Sequence, residues 1–133
     1  IAEIFARDGE AFFRQAEARV IGRLLSGDPM VLATGGGAFM SDTVRRVVKA
    51  AAISLFLDAT LDTLWDRVKH SKTRPLLQTD APRDTLQRLL DKRRPTYLTA
   101  DIVVETRREY SVRDTTDRVL LALQTAGVIK DIP

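Results

Sequence analysis

A chain of 133 residues, 44% hydrophobic and 29% charged, has the length of one domain and the composition of an ordinary globular protein. It has no cysteine, which excludes disulfides and thiolate metal sites and allows a reducing cytoplasm. No apolar run nears the roughly 18 residues that a spanning helix needs, and the amino terminus has no basic-then-apolar signal pattern. The 21 basic and 18 acidic residues leave a net charge of +3. They are mixed along the chain, so a cluster of arginines around a small anionic ligand explains the balance as well as nucleic acid does.

The opening Ile1-Ala2-Glu3-Ile4-Phe5 starts inside an apolar pattern, and we expect the natural protein to begin earlier. Glu10 to Leu25 reads as a helix, with Phe12, Phe13, Ala16, Val20 and Leu24 near one face. Arg14 and Glu17 lie three apart and can meet on another face. Ser26-Gly27-Asp28-Pro29 ends this helix. Met30 to Ala33 reads as a buried strand that breaks into Gly35-Gly36-Gly37. Three glycines remove every Cβ, so a ligand can approach the main chain and use its N–H groups. Ligands of open α/β sheets sit beyond the carboxyl ends of strands, so the run is a candidate site wall; a tight turn without a ligand is the alternative.

Ser41 or Asp42 caps a helix to about Ala50. Ile53 to Leu57 is a second strand, and Thr60 or Asp62 starts a helix through about Val68. His70 to Pro75 is polar, basic and without periodicity, so it reads as an exposed loop, which Gln78 to Pro82 continues. Asp84 to Arg94 returns to helix, with Leu86, Leu89 and Leu90 as its apolar side and Pro95 as its end. Ile102 to Val104 is a third strand, and Ser111 or Asp114 opens a last helix through about Ala126. Strands alternating with helices predict an α/β fold with a parallel sheet flanked by helices. Three strands make a thin sheet, a second sign of a lost strand–helix unit. Trp65 is expected in the core, Tyr97 in packing with a polar tip, His70 as a helix-end cap or in solvent, and Lys72 and Arg94 in solvent.

Several segments, by their order and spacing, resemble the shikimate kinase family. They are Glu3-Ile4-Phe5, Gly9-Glu10, Phe13-Arg14 with Glu17, Ala33-Thr34-Gly35-Gly36-Gly37, Arg74-Pro75-Leu76-Leu77, Lys92-Arg93 with Pro95 and Tyr97, and Ala100-Asp101. The resemblance implies a P-loop kinase fold like that of nucleoside monophosphate kinases. It implies one kinase domain over residues 1–133, with a substrate-binding helix at 10–25 and a lid at about 70–82. The implied activity is transfer of the γ-phosphoryl of ATP to the 3-hydroxyl of shikimate, with magnesium, in a cytoplasmic monomer that binds neither nucleic acid nor membrane. No Gly-x-x-x-x-Gly-Lys-Ser/Thr run occurs in the sequence, so the first strands and the phosphate loop are expected to lie outside this chain, which would be inactive without them.

The resemblance also distributes roles. Arg14 and Arg93 match carboxylate-binding arginines, a task that suits a planar guanidinium fork. Glu17 orients Arg14. Gly35, Gly36 and Gly37 match a substrate-side glycine triplet, with Gly36 as the direct main-chain contact. Arg74 matches a lid arginine that stabilises the transferring phosphoryl group. Arg67 matches an adenine-stacking position, and Arg107 or Arg108 covers the other adenine face. No residue is assigned to metal. A related kinase acting on gluconate, or a kinase-like binding module without catalysis, are the competing readings.

Overall fold

The computed structural model describes residues 2–70 and 77–130, with side chains from Gly9 onward within those ranges. They form two compact units, one ending at Ser54 and the other beginning at Leu55.

In the first unit, α1 (Ala2–Leu25) consists of two helical stretches that meet at Gly9, whose φ is +84°. Only glycine enters that region freely. The second stretch therefore starts at Glu10, where the sequence places it. Its buried face differs from the expected one. Phe12 and Val20 are about half exposed, whereas Ile21 is buried and packs with Ala18 and Leu25. The cause is α2: α1 has two apolar stripes, and the one buried is the one that contacts α2.

Met30 to Ala33 is not a strand. No described segment forms a ladder with it, and the Val31 side chain is fully exposed. An apolar run becomes a strand only when neighbouring main chain takes its N–H and C=O groups. The glycine run leads into a short 3₁₀ turn at Ala38–Met40, where Ala38 N–H donates to Gly35 O at 3.1 Å. Ser41 then caps α2 (Asp42–Ala51), its hydroxyl accepting from Val44 N–H at 3.3 Å. Ile21, Ala38 and Val44 form the core, flanked by Ala18, Leu25, Leu32 and Val48.

The second unit runs β1 (Leu55–Asp58), α3 (Leu61–Val68), α4 (Pro82–Tyr97), β2 (Ile102–Glu105) and α5 (Val112–Thr125). The two strands pair in parallel, with Leu55 opposite Ile102 and Asp58 opposite Glu105. Parallel neighbours need a crossover, and α3 and α4 provide it. The α/β class with a parallel sheet is therefore as expected. β1 starts two residues later than the sequence suggests, at Leu55, because Leu55 is the first residue in register with β2.

Thr60 caps α3. Both candidates at the start of α5 are used: Ser111 accepts from Asp114 N–H, and Asp114 accepts from Ser111 N–H, a reciprocal capping box. Pro95 does not end α4, which continues to Tyr97. A proline in the last turn forfeits one hydrogen bond, and its fixed φ is itself helical. No helix among the described residues is long and apolar enough to cross a membrane.

Candidate functional site

In the first unit, α1 presents Arg14 and Glu17 one turn apart. Arg14 Nη1 donates to Glu17 Oε1 at 2.7 Å, and Glu10 Oε1 lies 3.8 Å from Arg14 Nε. The Arg14 guanidinium sits 5.1 Å from the Phe13 ring centroid. The side chains of Arg14 and Glu17 are only 24% and 13% exposed, so this is no solvated surface pair of negligible strength.

The glycine run packs on this pair. A Cβ at Gly37 would lie 2.7 Å from Arg14 Cζ and 2.9 Å from Nη1, and one at Gly35 would lie 3.6 Å from Glu17 Oε2. Neither Gly35, Gly36 nor Gly37 has a positive φ, a feature confined to Gly9 and Gly127 among the described residues. Gly37 is thus required for space, not for an unusual backbone angle. Gly36, between the two, is exposed. A cavity of about 360 Å³ adjoins Arg14 and is lined also by Gln15, Ala18, Arg19, Ser41 and Thr43. The structure therefore brings Arg14, Glu17, Gly35 and Gly37 together, with the three glycines outside the cavity's own lining.

In the second unit, Arg93 is half-buried on α4. Its neighbour Arg94 is exposed, as the sequence suggests, and is also ion-paired. Arg94 Nε and Nη2 donate to the two carboxylate oxygens of Asp58, at 3.0 and 2.7 Å. The hydrogen bond from Arg94 holds the Asp58 carboxyl below the usual carboxylate range, against the opposing effect of burial.

Arg67 and Arg107 are adjacent. Arg67 Nη1 donates to Thr106 Oγ1 and its Nη2 to Arg107 O, both at 3.4 Å. The Arg107 side chain pairs with Glu105 at 3.2 Å and lies 5.9 Å from the Tyr110 ring, against which Arg118 stacks at 4.2 Å. Asp66 ties the same region together, pairing with Lys69 at 3.1 Å and with Arg108. Trp65 is not in the core. It is half-buried and lines a cavity of about 420 Å³ with Val68, Lys69, Leu77, Thr79 and Pro82. Arg74 and Lys72 lie outside the described residues. Among the described residues, no three histidine or acidic side chains gather where they could hold a metal ion.

The family model for shikimate kinase matches residues 1–124. The chain belongs to the shikimate kinase family. It is 54% identical over 125 residues to a shikimate kinase of Cereibacter sphaeroides, covering 94% of this chain and 62% of that protein. It is 52% identical to one of Ruegeria pomeroyi, covering 94% and 64%. The chain thus spans less than two thirds of the length of these curated relatives. Among solved structures, a shikimate kinase from Acinetobacter baumannii in complex with shikimate aligns with a TM-score of 0.81 at 33% identity, over 94% of this chain and 68% of that one. A shikimate kinase from Bacteroides thetaiotaomicron aligns with the same score at 26% identity, over 96% and 74%.

Sequence reasoning missed Asp58, Thr106 and Tyr110. A usable signal existed for Asp58, which closes an apolar strand at the end where α/β sheets place their polar chemistry. Thr106, buried beside Arg67, gives no such signal, because its partner is 39 positions away.

Proposed function

We propose that this chain serves the ATP-dependent phosphorylation of the 3-hydroxyl of shikimate. The observation that carries the reading is the close fit of the glycine run onto the Arg14–Glu17 pair in a chain of the shikimate kinase family. An arginine held on one side by a carboxylate and on another by bare main chain has one orientation, which is what recognition of a planar carboxylate requires.

In this reading Arg14 and Arg93 bind the shikimate carboxylate, Glu17 orients Arg14, and the main chain of Gly35 to Gly37, Gly36 foremost, faces the ring hydroxyls. The 3-hydroxyl oxygen bonds to the γ-phosphorus of ATP, the bond to the β,γ-bridging oxygen breaks, ADP leaves, and the hydroxyl proton passes to solvent. Arg74 stabilises charge on the transferring group. Arg67 and Arg107 contact the adenine. Magnesium accompanies ATP and neutralises charge on its phosphates; no described residue is assigned to it. The enzyme acts in the cytoplasm as a monomer.

The test is a coupled ATP-consumption assay of the intact natural protein, with shikimate, gluconate and nucleoside monophosphates side by side. ADP formation that depends on shikimate alone supports the reading. Gluconate dependence, or no turnover with any acceptor, would falsify it.

A further inference from the structure

We propose that Arg94 is a positioning residue: its two-point ion pair with Asp58 fastens the end of α4 to β1 across Pro95, and so fixes where the adjacent Arg93 is presented to its anionic ligand. The inference rests on the carboxylate-binding role given to Arg93 above.

The geometry is specific. Asp58 is the last residue of β1, and both of its carboxylate oxygens are taken by one guanidinium through Nε and Nη2. Only arginine offers two parallel donors in a rigid plane; lysine offers a point charge. The side chains of Asp58 and Arg94 are 16% and 45% exposed, so solvent screens the pair from the Arg94 side, and it is the two-point geometry that distinguishes it from an ordinary surface ion pair.

A second fastening lies one turn on. Tyr97 packs its ring 5.2 Å from that of Phe56, at 54°. Phe56 and Asp58 are two apart on a strand and share a face. Arg94 and Tyr97 are three apart on a helix and share a face. One side of the end of α4 is therefore held to one side of β1 at two points, with Pro95 between them.

That turn needs holding. Pro95 has no N–H to donate to the Asp91 carbonyl, and its ring crowds that carbonyl. Leu98 N–H does bond Arg94 O at 2.9 Å, so the helix recovers its ladder just beyond the defect. Arg93 lies immediately before it, about 100° around the axis from Arg94. It makes no ion pair of its own among the described residues. The point from which its side chain starts is therefore set by the backbone it stands on, and that backbone is held by Arg94 and Tyr97. A displacement of about 1 Å in a positioning group can cost on the order of 100-fold in rate.

The experiment measures shikimate and ATP saturation of the intact natural protein carrying Arg94→Ala, Arg94→Lys, Asp58→Asn or Arg93→Ala. We expect Arg94→Ala and Asp58→Asn to raise the KM for shikimate by about tenfold and leave that for ATP unchanged, with Arg94→Lys in between. Adding Pro95→Ala to Arg94→Ala restores a donor to Asp91 O and should recover most of the lost shikimate affinity. A merely structural pair would not show this suppression or the split between substrates. The inference is overturned if Arg94→Ala keeps the wild-type KM for shikimate while Arg93→Ala raises it. It is also overturned if Arg94→Ala raises both KM values alike. A normal shikimate KM in Arg93→Ala removes the functional assignment, and this inference with it.

Discussion

Gly37 lies so close to the guanidinium of Arg14 that a single added carbon would overlap it, 2.7 Å from Cζ and 2.9 Å from Nη1. The backbone at Gly37 is ordinary, with φ −88° and ψ −11°. Any residue could adopt it; only the space forbids one.

Gly37→Ala should therefore act on the fold only through Arg14. The obstructing atoms belong to the far end of a flexible side chain, so they can move. As Arg14 leaves the largely buried Glu17, stability should fall by about 1–3 kcal/mol, and the KM for shikimate should rise by about tenfold or more. Gly35→Ala meets Glu17 at ordinary contact distance and should melt like the wild type. Thermal melts and shikimate saturation of the intact natural protein check both variants. A Gly37→Ala protein with unchanged shikimate saturation contradicts the steric argument.

The start of α5 gives a prediction about stability alone. Ser111 and Asp114 satisfy each other's main-chain donors at 3.0 and 2.9 Å. Ser111→Ala should cost about 1 kcal/mol and leave both substrate KM values unaltered. A urea unfolding curve displaced by that amount bears this out; a curve superimposable on the wild type does not.

The Asp58–Arg94 pair carries a pH dependence of defined sign. The hydrogen bond from Arg94 lowers the Asp58 pKa in the folded protein. The unfolded carboxyl titrates at about pH 4. The folded state thus holds fewer protons than the unfolded state in acid, and stability falls with pH there. The contribution is complete above about pH 4 and is lost as the pH drops through the folded value. The stability difference between wild type and Asp58→Asn should stay constant from neutral pH down to about pH 5 and narrow in stronger acid. Urea melts across that range measure it, and a difference that persists unchanged at pH 3 contradicts the linkage.

The helix starts were legible because caps are local. Ser41, Thr60 and Ser111 each bond a main-chain N–H three residues on, and no distant partner is needed. The strand at Met30 to Ala33 was misread because a strand depends on its neighbours, which composition does not reveal. Pro95 was misread because in the last turn of a helix it forfeits only one hydrogen bond and its fixed φ suits the helix, which runs two residues further. The buried stripe of α1 was ambiguous until α2 chose between two apolar faces. At the site, Arg14 and Glu17 were visible as a one-turn pair. That Gly37 shapes the space for Arg14 was not, because the glycine run and the helix are joined only by folding.

The central claim is that Arg14, held by Glu17 and admitted by Gly37, binds the carboxylate of the acceptor. Arg14→Lys tests it most directly, since lysine keeps the charge and the helix but loses the two-pronged fork. Steady-state kinetics of the intact natural protein should give a shikimate KM raised by about tenfold with the ATP KM unmoved. A variant that saturates with shikimate as the wild type does would contradict the account.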